Sequence, residues 1–537
     1  MPTAQTCATP HVQLHTAQDV VDWLRARDVR QLCGDSRRVQ AGDAFVAWPG
    51  YALDARGFVA AALSKGAVCA VAEAQDVETS ALPASLVQDP RVALVSDLKA
   101  MCGEIAALFE GQPSAQLDVV AVTGTNGKTS ITWWLAQALS AAGSTCGLVG
   151  TLGVGRTDAL VQTGLTTPDP IRLQHTLADF SRTGLTACAM EASSIGLQEH
   201  RLSGTHIKVA VFSNLSQDHL DYHDSMHSYW LAKRSLFAWP QLQAAVVNTD
   251  DAHGAALVQE LRDAQAQGGV AALDLWTVGI DGAPGSGDAV RAAPARLQAR
   301  NVRPSALGLA FDVQEYASGA CVQTQAMDVR MLGQYNVSNM LCVLASMRAL
   351  GIGLADAVAA CANLHAVPGR MELVDEQRSD IRVLVDYAHT PDAVAQALQA
   401  LRPIVAGNAA RLWCVLGCGG DRDASKRAPM AQLALEHADA VVFTSDNPRS
   451  EDPQTIVDQL MSAALAHDHA HSKTVLQQVD RAQAIAMAVA KAGAGDVVLI
   501  AGKGHEDYQE VAGVRTPFSD VQVARAALRS LRAGATL

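Results

Sequence analysis

Short apolar runs alternate with longer stretches of mixed polarity along most of the chain. The apolar runs have the length and the Val, Ile, Leu and Ala content of strands that are buried on both faces. They lie at 117–122, 185–190, 209–215, 381–385, 412–416, 440–444 and 496–500. The stretches that repeat apolar residues every three or four positions predict helices. These helices include 17–26, 98–110, 131–143, 226–237, 337–350 and 392–401. The alternation predicts an α/β fold with helices on both faces of mostly parallel sheets.

Two breaks rich in Gly, Pro and Ser divide this pattern. The first is Gly111–Ser114 and the second is Pro368-Gly369, and a chain of 537 residues is long enough for three or four domains. We expect three domains, at 1–115, 116–366 and 367–537. The central one is predicted to be a doubly wound sheet of the phosphate-loop type, and the C-terminal one to be Rossmann-like. The segment 279–298 is rich in Gly, Ala and Pro, which predicts an irregular surface excursion with little role in chemistry.

A glycine-rich turn joins the predicted strand 117–122 to the helix that is expected from Ile131. Its sequence is T-G-T-N-G-K-T over 123–129, with Val122 where the usual phosphate loop has its first glycine. Glycines let backbone N–H groups close on phosphate oxygens, Lys128 would reach the β- and γ-phosphates, and the Thr129 hydroxyl would bind Mg²⁺. The Lys-Thr pair favours this interpretation over an ordinary glycine-rich turn. The predicted ATP-binding residues of the loop are Gly124, Thr125, Asn126, Gly127, Lys128, Thr129 and Ser130.

Polar side chains follow several predicted strands, where ligands bind in such sheets. Glu191 follows 185–190 and suits a Mg²⁺ ligand, although it could instead cap the next helix. Asp218, His219, Asp221 and His223 share one short loop after 209–215 and offer groups for a metal or a phosphate.

Three further features are polar residues on or near predicted helices. Asn336 and Asn339 could cap the helix that begins near them or read the edge of a base. Lys233, on the predicted helix 226–237, would ordinarily be a solvated residue. Ser96 or Asp97 is expected to cap the helix 98–110.

Composition narrows the classes of function. The 41 basic and 54 acidic residues give a net charge of −13, which argues against nucleic acid as a partner. We identify no signal peptide and no apolar run approaching the ~20 residues of a membrane span. The 11 cysteines are scattered, mostly in apolar surroundings, and are expected to be buried thiols of a cytoplasmic protein. A zinc site at Cys414 and Cys418 is disfavoured because the two lack partner ligands.

Seven motifs occur in the order that is typical of one family. They are the phosphate loop, Met190-Glu-Ala-Ser-Ser194, Asn214-Leu-Ser-Gln-Asp-His-Leu-Asp-Tyr-His223, Gly333–Asn339, Pro368-Gly-Arg370, Asp386-Tyr-Ala-His-Thr-Pro391 and Asp446-Asn-Pro-Arg449. Over nearly its whole length, the chain resembles the Mur ligases, ATP-dependent amide-forming enzymes of peptidoglycan synthesis. Within the family it most resembles the members that add meso-diaminopimelate to UDP-N-acetylmuramoyl-L-alanyl-D-glutamate.

The resemblance implies an N-terminal domain for the UDP part, a central domain for ATP and a C-terminal domain for the amino acid. It implies ATP and Mg²⁺, an acyl-phosphate intermediate, small-molecule substrates, no nucleic acid or membrane partner, and a monomer. Catalytic roles fall on Lys128, Lys233 and His219, and the metal positions are Thr129, Glu191, His219 and Lys233. Lys233 matches a carbamylated lysine, and carbamylation turns its cation into an anion that can ligate Mg²⁺.

The remaining binding residues are implied by position in the family motifs. Asn336, Arg370 and Asp386 match further ATP-binding positions. The positions for the UDP substrate are Ser36, Thr166, Thr167, Ser193, Glu199 and Arg201. The positions for diaminopimelate are Arg422, Asp446, Asn447, Pro448, Arg449, Gly502 and Glu506. We expect Arg449 to select the amino acid, because a guanidinium grips the second carboxylate of diaminopimelate and repels the ammonium of lysine.

The chain departs from the family pattern at three positions, and three other functions share part of its signal. Ile195 stands where a His is frequent, Glu199 where some members have Gln, and Tyr51 where a His is common. A folylpolyglutamate synthetase shares the loop but not the N-terminal residues Asp35-Ser36-Arg37. A phosphate-loop kinase would not need Arg449 and Glu506. A non-catalytic nucleotide-binding module would not be expected to combine Lys128, Glu191 and His219.

Overall fold

The computed structural model describes residues 12–50, 53–268, 273–282, 294–305, 308–374, 380–405 and 410–532. Tyr51 and residues 283–293 of the predicted excursion lie outside these ranges. The elements before residue 117 are β1 (Val12–Leu14), α1 (Ala17–Arg25), β2 (Gln31–Cys33), β3 (Asp43–Ala47), α2 (Val59–Ser64), β4 (Cys69–Glu73), α3 (Ala84–Val87), β5 (Val92–Val95) and α4 (Leu98–Phe109).

The next stretch of chain contains the phosphate loop and the segments around it. Its elements are β6 (Asp118–Thr123), α5 (Lys128–Ala141), β7 (Cys146–Gly150), β8 (Gly153–Arg156), β9 (Ala159–Val161), α6 (Pro170–Arg182), β10 (Ala187–Glu191), α7 (Ser194–Gln198), β11 (Val209–Phe212), α8 (Met226–Arg234), β12 (Ala244–Asn248), α9 (Ala252–Ala266), β13 (Asp274–Ile280), β14 (Leu297–Pro304), β15 (Leu309–Ala317), β16 (Ala320–Val329), α10 (Gln334–Ala349) and α11 (Leu354–Cys361).

The last stretch again alternates strands and helices. Its elements are β17 (Glu372–Leu373), β18 (Arg382–Asp386), α12 (Pro391–Val405), β19 (Leu412–Cys418), α13 (Arg427–His437), β20 (Ala440–Ser445), α14 (Pro453–Leu465), β21 (Thr474–Gln477), α15 (Arg481–Lys491), β22 (Val497–Ala501), β23 (Tyr508–Val511), β24 (Val514–Pro517) and α16 (Asp520–Arg532). Short 3₁₀ turns lie at Ala55–Phe58, Pro113–Gln116, Ser235–Ala238, Ala424–Lys426 and Asp468–Ser472.

The chain forms two compact units. Unit one comprises residues up to 121, 144–208 and 235–242, and unit two comprises 122–143, 209–234 and the chain from 243 onward. Unit one has a parallel sheet in the order β1-β5-β4-β3-β2 and further strands in the order β10-β7-β8-β9. In unit two, β11 to β14 are parallel and β14 to β16 are antiparallel. The predicted α/β class is confirmed.

The C-terminal sheet of unit two has the strand order β17-β18-β22-β19-β20-β21. The packing of this sheet explains why several of its strands are continuous apolar runs in the sequence. Alternate residues point to opposite faces of a strand. Leu416 and Phe443 pack with α12, α13 and α14 on one face, and Val415 and Val442 pack with α15 and α16 on the other. Helices therefore cover both faces of this sheet, as the sequence pattern predicts.

Helix α5 begins at Lys128, three residues before the predicted start at Ile131. Gly127 adopts a left-handed φ of +87°, which ends the loop abruptly and lets the next residue enter the helix. A helix cannot bond its own first N–H groups, so the first turn of α5 presents donors where phosphate is expected.

Asp97, one of the two predicted candidates, holds the N-cap position of α4 but does not cap it with its side chain, and of the two interpretations of Asn336 and Asn339 the structure does not show capping of α10. Asp97 has a φ of +54° and makes no side-chain cap, while the carboxylate of Glu73 accepts a hydrogen bond from the N–H of Leu98 at 2.7 Å. Gly333 precedes α10, and the amides of Asn336 and Asn339 point elsewhere. Asn336 Nδ2 donates to Leu332 O, and Asn339 Nδ2 donates to Asn336 Oδ1.

The irregular excursion is shorter than predicted. Gly279 and Ile280 belong to β13, and Leu297 and Gln298 belong to β14, which pairs parallel with it. Among the described residues, no helix combines the length and apolar character that crossing a bilayer requires.

Candidate active site

The phosphate loop is folded so that two of its glycines have no room for a side chain. Gly124 has a φ of +145°, and a Cβ there would overlap Ser213 Oγ. A Cβ on Gly127 would overlap Oδ1 of Asn339. Both positions therefore require glycine for backbone conformation and for space.

Residues after β11 hold this loop from the side. The N–H of Asn126 donates to Asn214 Oδ1 at 2.9 Å, and Asn214 Nδ2 donates back to Asn126 O at 3.1 Å. Ser213 Oγ donates to the same carbonyl at 2.6 Å. Asn214 belongs to a recognised motif, but its contact with the loop joins residues 88 apart, and local sequence pattern could not reveal it.

A cavity of about 310 Å³ opens in front of the loop, entirely within unit two. Most predicted ATP-binding residues line it, namely Asn126, Gly127, Thr129, Ser130, Asn336, Arg370 and Asp386. Gly124, Thr125 and Lys128 are not among its lining residues, and Lys128 Nζ donates to the carbonyl oxygens of Gly124 and Thr125 at 2.9 Å each. Lining residues without an individual sequence prediction include Asn248, Asp250, Asp251, Tyr335 and Asp392.

Arg370 lies between the loop and the C-terminal sheet. Its Nη2 donates to Thr129 Oγ1 at 3.3 Å, and its guanidinium carbon lies 4.5 Å from the centre of the Tyr387 ring. Its Nε is buried and has no hydrogen-bond partner in the described part of the chain. Such a donor suits an anion in the cavity. Nearby, Asp386 accepts from the N–H of Met371 at 2.7 Å, and burial raises the pKa of this carboxyl.

Lys233 is buried rather than solvated. Its Nζ donates to Gly124 O at 2.8 Å and lies 4.3 Å from the centre of the Tyr229 ring. Burial, followed by the charge of Lys128, holds the pKa of Lys233 well below its usual value. Such an amine is more readily neutral than that of an exposed lysine, and only a neutral amine can attack CO₂.

The loop after β11 brings charged groups towards the C-terminal sheet. His389 Nε2 lies 3.7 Å from Asp218 Oδ2, and His219 Nε2 lies 3.5 Å from the same oxygen. Burial alone would raise the pKa of Asp218, but its interaction with His389 holds it well below its usual range. Burial lowers the pKa of His219 to about 4, so its ring is neutral at neutral pH.

Glu191 belongs to unit one, whereas Thr129, His219 and Lys233 belong to unit two. Its carboxylate accepts hydrogen bonds from Thr151 N at 2.8 Å and from Thr151 Oγ1 at 3.1 Å. Glu191 is not the helix cap, because Ser193 Oγ caps α7 by accepting from Gly196 N at 3.0 Å.

Four predicted residues for the UDP substrate gather in unit one. Thr167 Oγ1 lies 3.0 Å from Ser193 Oγ, and Arg201 Nη1 donates to Thr167 O at 3.0 Å. Thr166 Oγ1 lies 3.1 Å from Thr151 Oγ1.

The other positions singled out for this substrate lie apart from that cluster. Among described residues, no hydrogen bond joins Ser36 to it, and Ser36 O accepts from Lys65 Nζ. Glu199 pairs with Lys99 at 2.8 Å. Ile195 lies half-buried in α7.

The predicted diaminopimelate residues meet at the carboxyl ends of β19, β20 and β22 in unit two. Asn447 Nδ2 donates to Glu506 Oε2 at 2.7 Å, and a Cβ on Gly502 would overlap Asp446 Oδ2. Pro448 packs so closely that a Cβ on Gly420 would overlap its carbonyl oxygen.

Arg449 lies at the edge of this cluster. It has a φ of +52°, and its N–H donates to Glu510 O at 3.0 Å. Its Nη1 donates to Gly420 O at 2.7 Å. Arg422 lies in the segment that follows β19 and pairs with Asp221 Oδ2 at 3.4 Å.

Sequence reasoning missed three residues that support this cluster. Lys503 Nζ donates to Asn447 Oδ1, and Gln509 Nε2 donates to Asp446 O at 2.7 Å. Arg481 is fully buried and forms a bidentate pair with Asp520 at 2.7 Å. Lys503 stands in the run Gly-Lys-Gly-His-Glu directly after β22, and this polar run after a strand could have indicated a functional residue. The partners of Gln509 and Arg481 are distant in sequence.

Comparison with known proteins matches two family models. The Mur ligase middle domain matches residues 122–347, and the Mur ligase, glutamate ligase domain matches residues 369–504. The chain is 52% identical over 522 residues to the UDP-N-acetylmuramoyl-L-alanyl-D-glutamate--2,6-diaminopimelate ligase of Acidovorax sp. (strain JS42), covering 96% of this chain and 97% of that protein.

Two further comparisons agree with it. The protein of the same name from Ralstonia nicotianae is 45% identical over 520 residues, which is 95% of each chain. A solved structure of a UDP-N-acetylmuramoyl-L-alanyl-D-glutamate--2,6-diaminopimelate ligase matches with a TM-score of 0.63 and 35% identity, covering 94% of this chain and 95% of that chain.

Proposed function

The chain belongs to the Mur ligase family, and we propose that it joins meso-diaminopimelate to UDP-N-acetylmuramoyl-L-alanyl-D-glutamate at the expense of ATP. One observation carries the proposal. Within unit two, a phosphate-loop cavity and a separate cluster around Asp446–Arg449 lie at the ends of two different sheets. A kinase binds a nucleotide and one phosphoryl acceptor and needs no separate site for an amine, whereas a ligase must hold a nucleotide, an acid and an amine.

The residues of the cavity fit ATP. The first turn of α5 supplies N–H donors for phosphate, and the unpartnered Nε of Arg370 supplies another. Lys128 would exchange hydrogen bonds to the carbonyl oxygens of its own loop for one to a phosphate. Asn336 and Tyr335 line the cavity on α10, where an amide and a ring suit a base.

In unit two, we assign Mg²⁺ binding to Thr129 and a carbamylated Lys233, and we assign a second ion to His219. Mg²⁺ prefers oxygen ligands, and an unmodified lysine does not fit such a set. The low pKa of the buried Lys233 amine favours its reaction with CO₂, which supplies the missing oxygens. When bound, the metal neutralises charge on the transferring phosphoryl group.

The reaction then needs two steps. The carboxylate of the UDP-linked dipeptide attacks the γ-phosphate of ATP, which forms an acyl phosphate and releases ADP. The amine of diaminopimelate attacks the acyl carbon, and phosphate leaves. Lys128 stabilises the negative charge that gathers in the first step.

In unit one, we assign the binding of the UDP substrate to Ser36, Thr166, Thr167, Ser193, Glu199 and Arg201. Hydroxyl groups and a guanidinium suit the carboxylate and amides of a muramoyl peptide. We further propose three functional domains at 1–115, 116–366 and 367–537, a cytoplasmic location and a monomeric enzyme.

Phosphate release tests the proposal. The protein is incubated with ATP, Mg²⁺ and the UDP-linked dipeptide, with meso-diaminopimelate, with L-lysine or with no amino acid. We expect release with diaminopimelate and little with lysine. Equal phosphate release with lysine contradicts the proposed specificity for diaminopimelate. Phosphate release that does not depend on the UDP-linked dipeptide contradicts the proposed ligase activity.

A further inference from the structure

Lys503 follows β22 and is completely buried. Its Nζ donates to Asn447 Oδ1 at 3.0 Å and to Glu506 Oε2 at 2.8 Å, and it lies 5.4 Å from the centre of the Tyr508 ring. A buried ammonium is costly unless its hydrogen-bonding directions are occupied. These three partners occupy them, so the group is fixed in place.

The partners of Lys503 are fixed in turn. Asn447 Oδ1 also accepts from the N–H of Glu510 at 2.9 Å, and Asn447 Nδ2 donates to Glu506 Oε2 at 2.7 Å. Reversing this amide would set its NH₂ group against an ammonium and an N–H. The orientation of Asn447 therefore follows from its neighbours.

The two oxygens of the Glu506 carboxylate differ as a result. Oε2 accepts from both Lys503 and Asn447, whereas Oε1 accepts no hydrogen bond from the part of the chain that the structure describes. The side chain is 18% exposed, so Oε1 keeps access to a ligand. A carboxylate with one oxygen anchored can offer the other to a cation in a fixed direction.

We propose that Lys503 is a positioning residue for the amino-acid substrate, and that it anchors Glu506 through Oε2 so that Oε1 receives an ammonium group of that substrate. The inference rests on the proposed function and adds a residue to its amino-acid site. Lys503 itself does not touch the substrate. Its loss leaves Glu506 free to change rotamer, which weakens binding of the amine and not of ATP.

The test compares Lys503→Met, which keeps the length of the chain, with Lys503→Arg, which keeps the charge. We expect Lys503→Met to raise the KM for diaminopimelate by about 10- to 100-fold, as for the loss of a charged hydrogen bond. The KM for ATP and the kcat should change by less than about 3-fold, since Lys503 contacts neither the nucleotide nor the reacting atoms. Lys503→Arg should recover part of the loss.

A double-mutant cycle identifies the route of the effect. If Lys503 acts through Glu506, Lys503→Met adds little to the KM of a Glu506→Gln variant. Lys491→Met is the matched control, because Lys491 is exposed at the end of α15 and should leave every constant unchanged. If Lys503→Met does not fold, the same cycle is run with Lys503→Arg, for which a several-fold rise in the KM for diaminopimelate is expected.

Two results overturn the inference. In the first, the double variant Lys503→Met/Glu506→Gln raises the KM for diaminopimelate by the product of the two single effects. In the second, Lys503→Met raises the KM for ATP as much as the KM for diaminopimelate. Both require that the wild-type protein releases phosphate with diaminopimelate. Absence of that release contradicts the proposed function instead, so the two failures are distinguishable.

Discussion

The Nζ atom of Lys233 donates a hydrogen bond to the carbonyl oxygen of Gly124 at 2.8 Å, which places a buried amine against the phosphate loop. The carbonyl oxygen that accepts this hydrogen bond carries no net charge. Burial lowers the pKa of the Lys233 amine well below its usual value. Neutral amines react with CO₂ and ammonium ions do not. This contact therefore connects the packing of α8 with the proposed metal ligand.

We predict that Lys233→Met lowers phosphate release by at least about 100-fold, because a carbamate that stabilises transferring charge is lost. The wild-type protein in ¹³C-labelled bicarbonate should give a carbamate signal by NMR that the variant lacks. Arg234→Gln serves as the control, since Arg234 forms an exposed pair with Glu260 and should leave activity unchanged. Wild-type turnover by Lys233→Met would contradict the assignment.

Arg449→Ala is predicted to abolish turnover with diaminopimelate while ATP still binds. The guanidinium lies at the edge of the C-terminal cluster, where its Nη1 donates to Gly420 O. We propose that it binds the second carboxylate of diaminopimelate, and the substitution removes that partner. Discrimination against lysine should fall by two or more orders of magnitude, as expected from about 1.5–3 kcal/mol per charged hydrogen bond plus repulsion. Steady-state kinetics with both amino acids measure this, and unchanged discrimination would count against the role of Arg449.

Gly502→Ala is predicted to raise the KM for diaminopimelate by about tenfold or more. Gly502 has a φ of +117°, and a Cβ there would overlap Asp446 Oδ2. Gly513→Ala separates the two causes, because Gly513 also has a positive φ of +75° but has no atom within 4 Å of its Cβ position. If both variants behave alike, backbone strain and not the displaced Asp446 explains the effect.

Arg481→Met is predicted to destabilise the protein by about 3–5 kcal/mol, since it leaves the buried carboxylate of Asp520 without its partner. The double variant Arg481→Met/Asp520→Leu should be more stable than the single variant, because no unpaired charge remains. Chemical denaturation followed by tryptophan fluorescence measures the difference. A single variant within about 1 kcal/mol of wild type would show that the pair is not buried in solution.

Thermal stability should fall as the pH is lowered from 7 to 5. Burial, followed by the charges of Arg370 and Lys503, lowers the pKa of His505 to about 3 from its ordinary value of 6.5. Below pH 6.5 the unfolded state therefore binds a proton that the native state does not, at a cost of up to about 1.4 kcal/mol per pH unit. This loss continues until the pH nears 3.

His505→Phe keeps an aromatic ring next to Tyr387, whose ring centre lies 5.3 Å away, and removes the titration. Its melting temperature should change less with pH than that of wild type. His227→Phe, which replaces an exposed histidine, should keep the wild-type slope. Equal slopes in all three proteins would exclude His505 as the cause.

Features that depend on neighbouring residues were predictable from the sequence. The turn before α5 and the apolar strands β19, β20 and β22 follow from glycine placement and from runs of apolar residues. The clusters after the strands follow from the geometry of parallel sheets.

Features that depend on distant partners were not predictable in the same way. The N-terminus of α4 is satisfied by Glu73, 25 residues before Leu98, and not by the adjacent Asp97. Lys233 carries no local sign of burial, and its role came only from family resemblance. Lys503 and Asn447 are 56 residues apart, so their hydrogen bond depends on the pairing of β22 and β20 with β19 between them.

The most direct test of the account is mass spectrometry of the UDP-linked product when meso-diaminopimelate and L-lysine compete at equal concentration with ATP, Mg²⁺ and UDP-N-acetylmuramoyl-L-alanyl-D-glutamate. The account predicts a product that carries one diaminopimelate, formed together with one ADP, and almost no lysine product. A product with lysine in equal amount, or ADP without any peptide product, would contradict it.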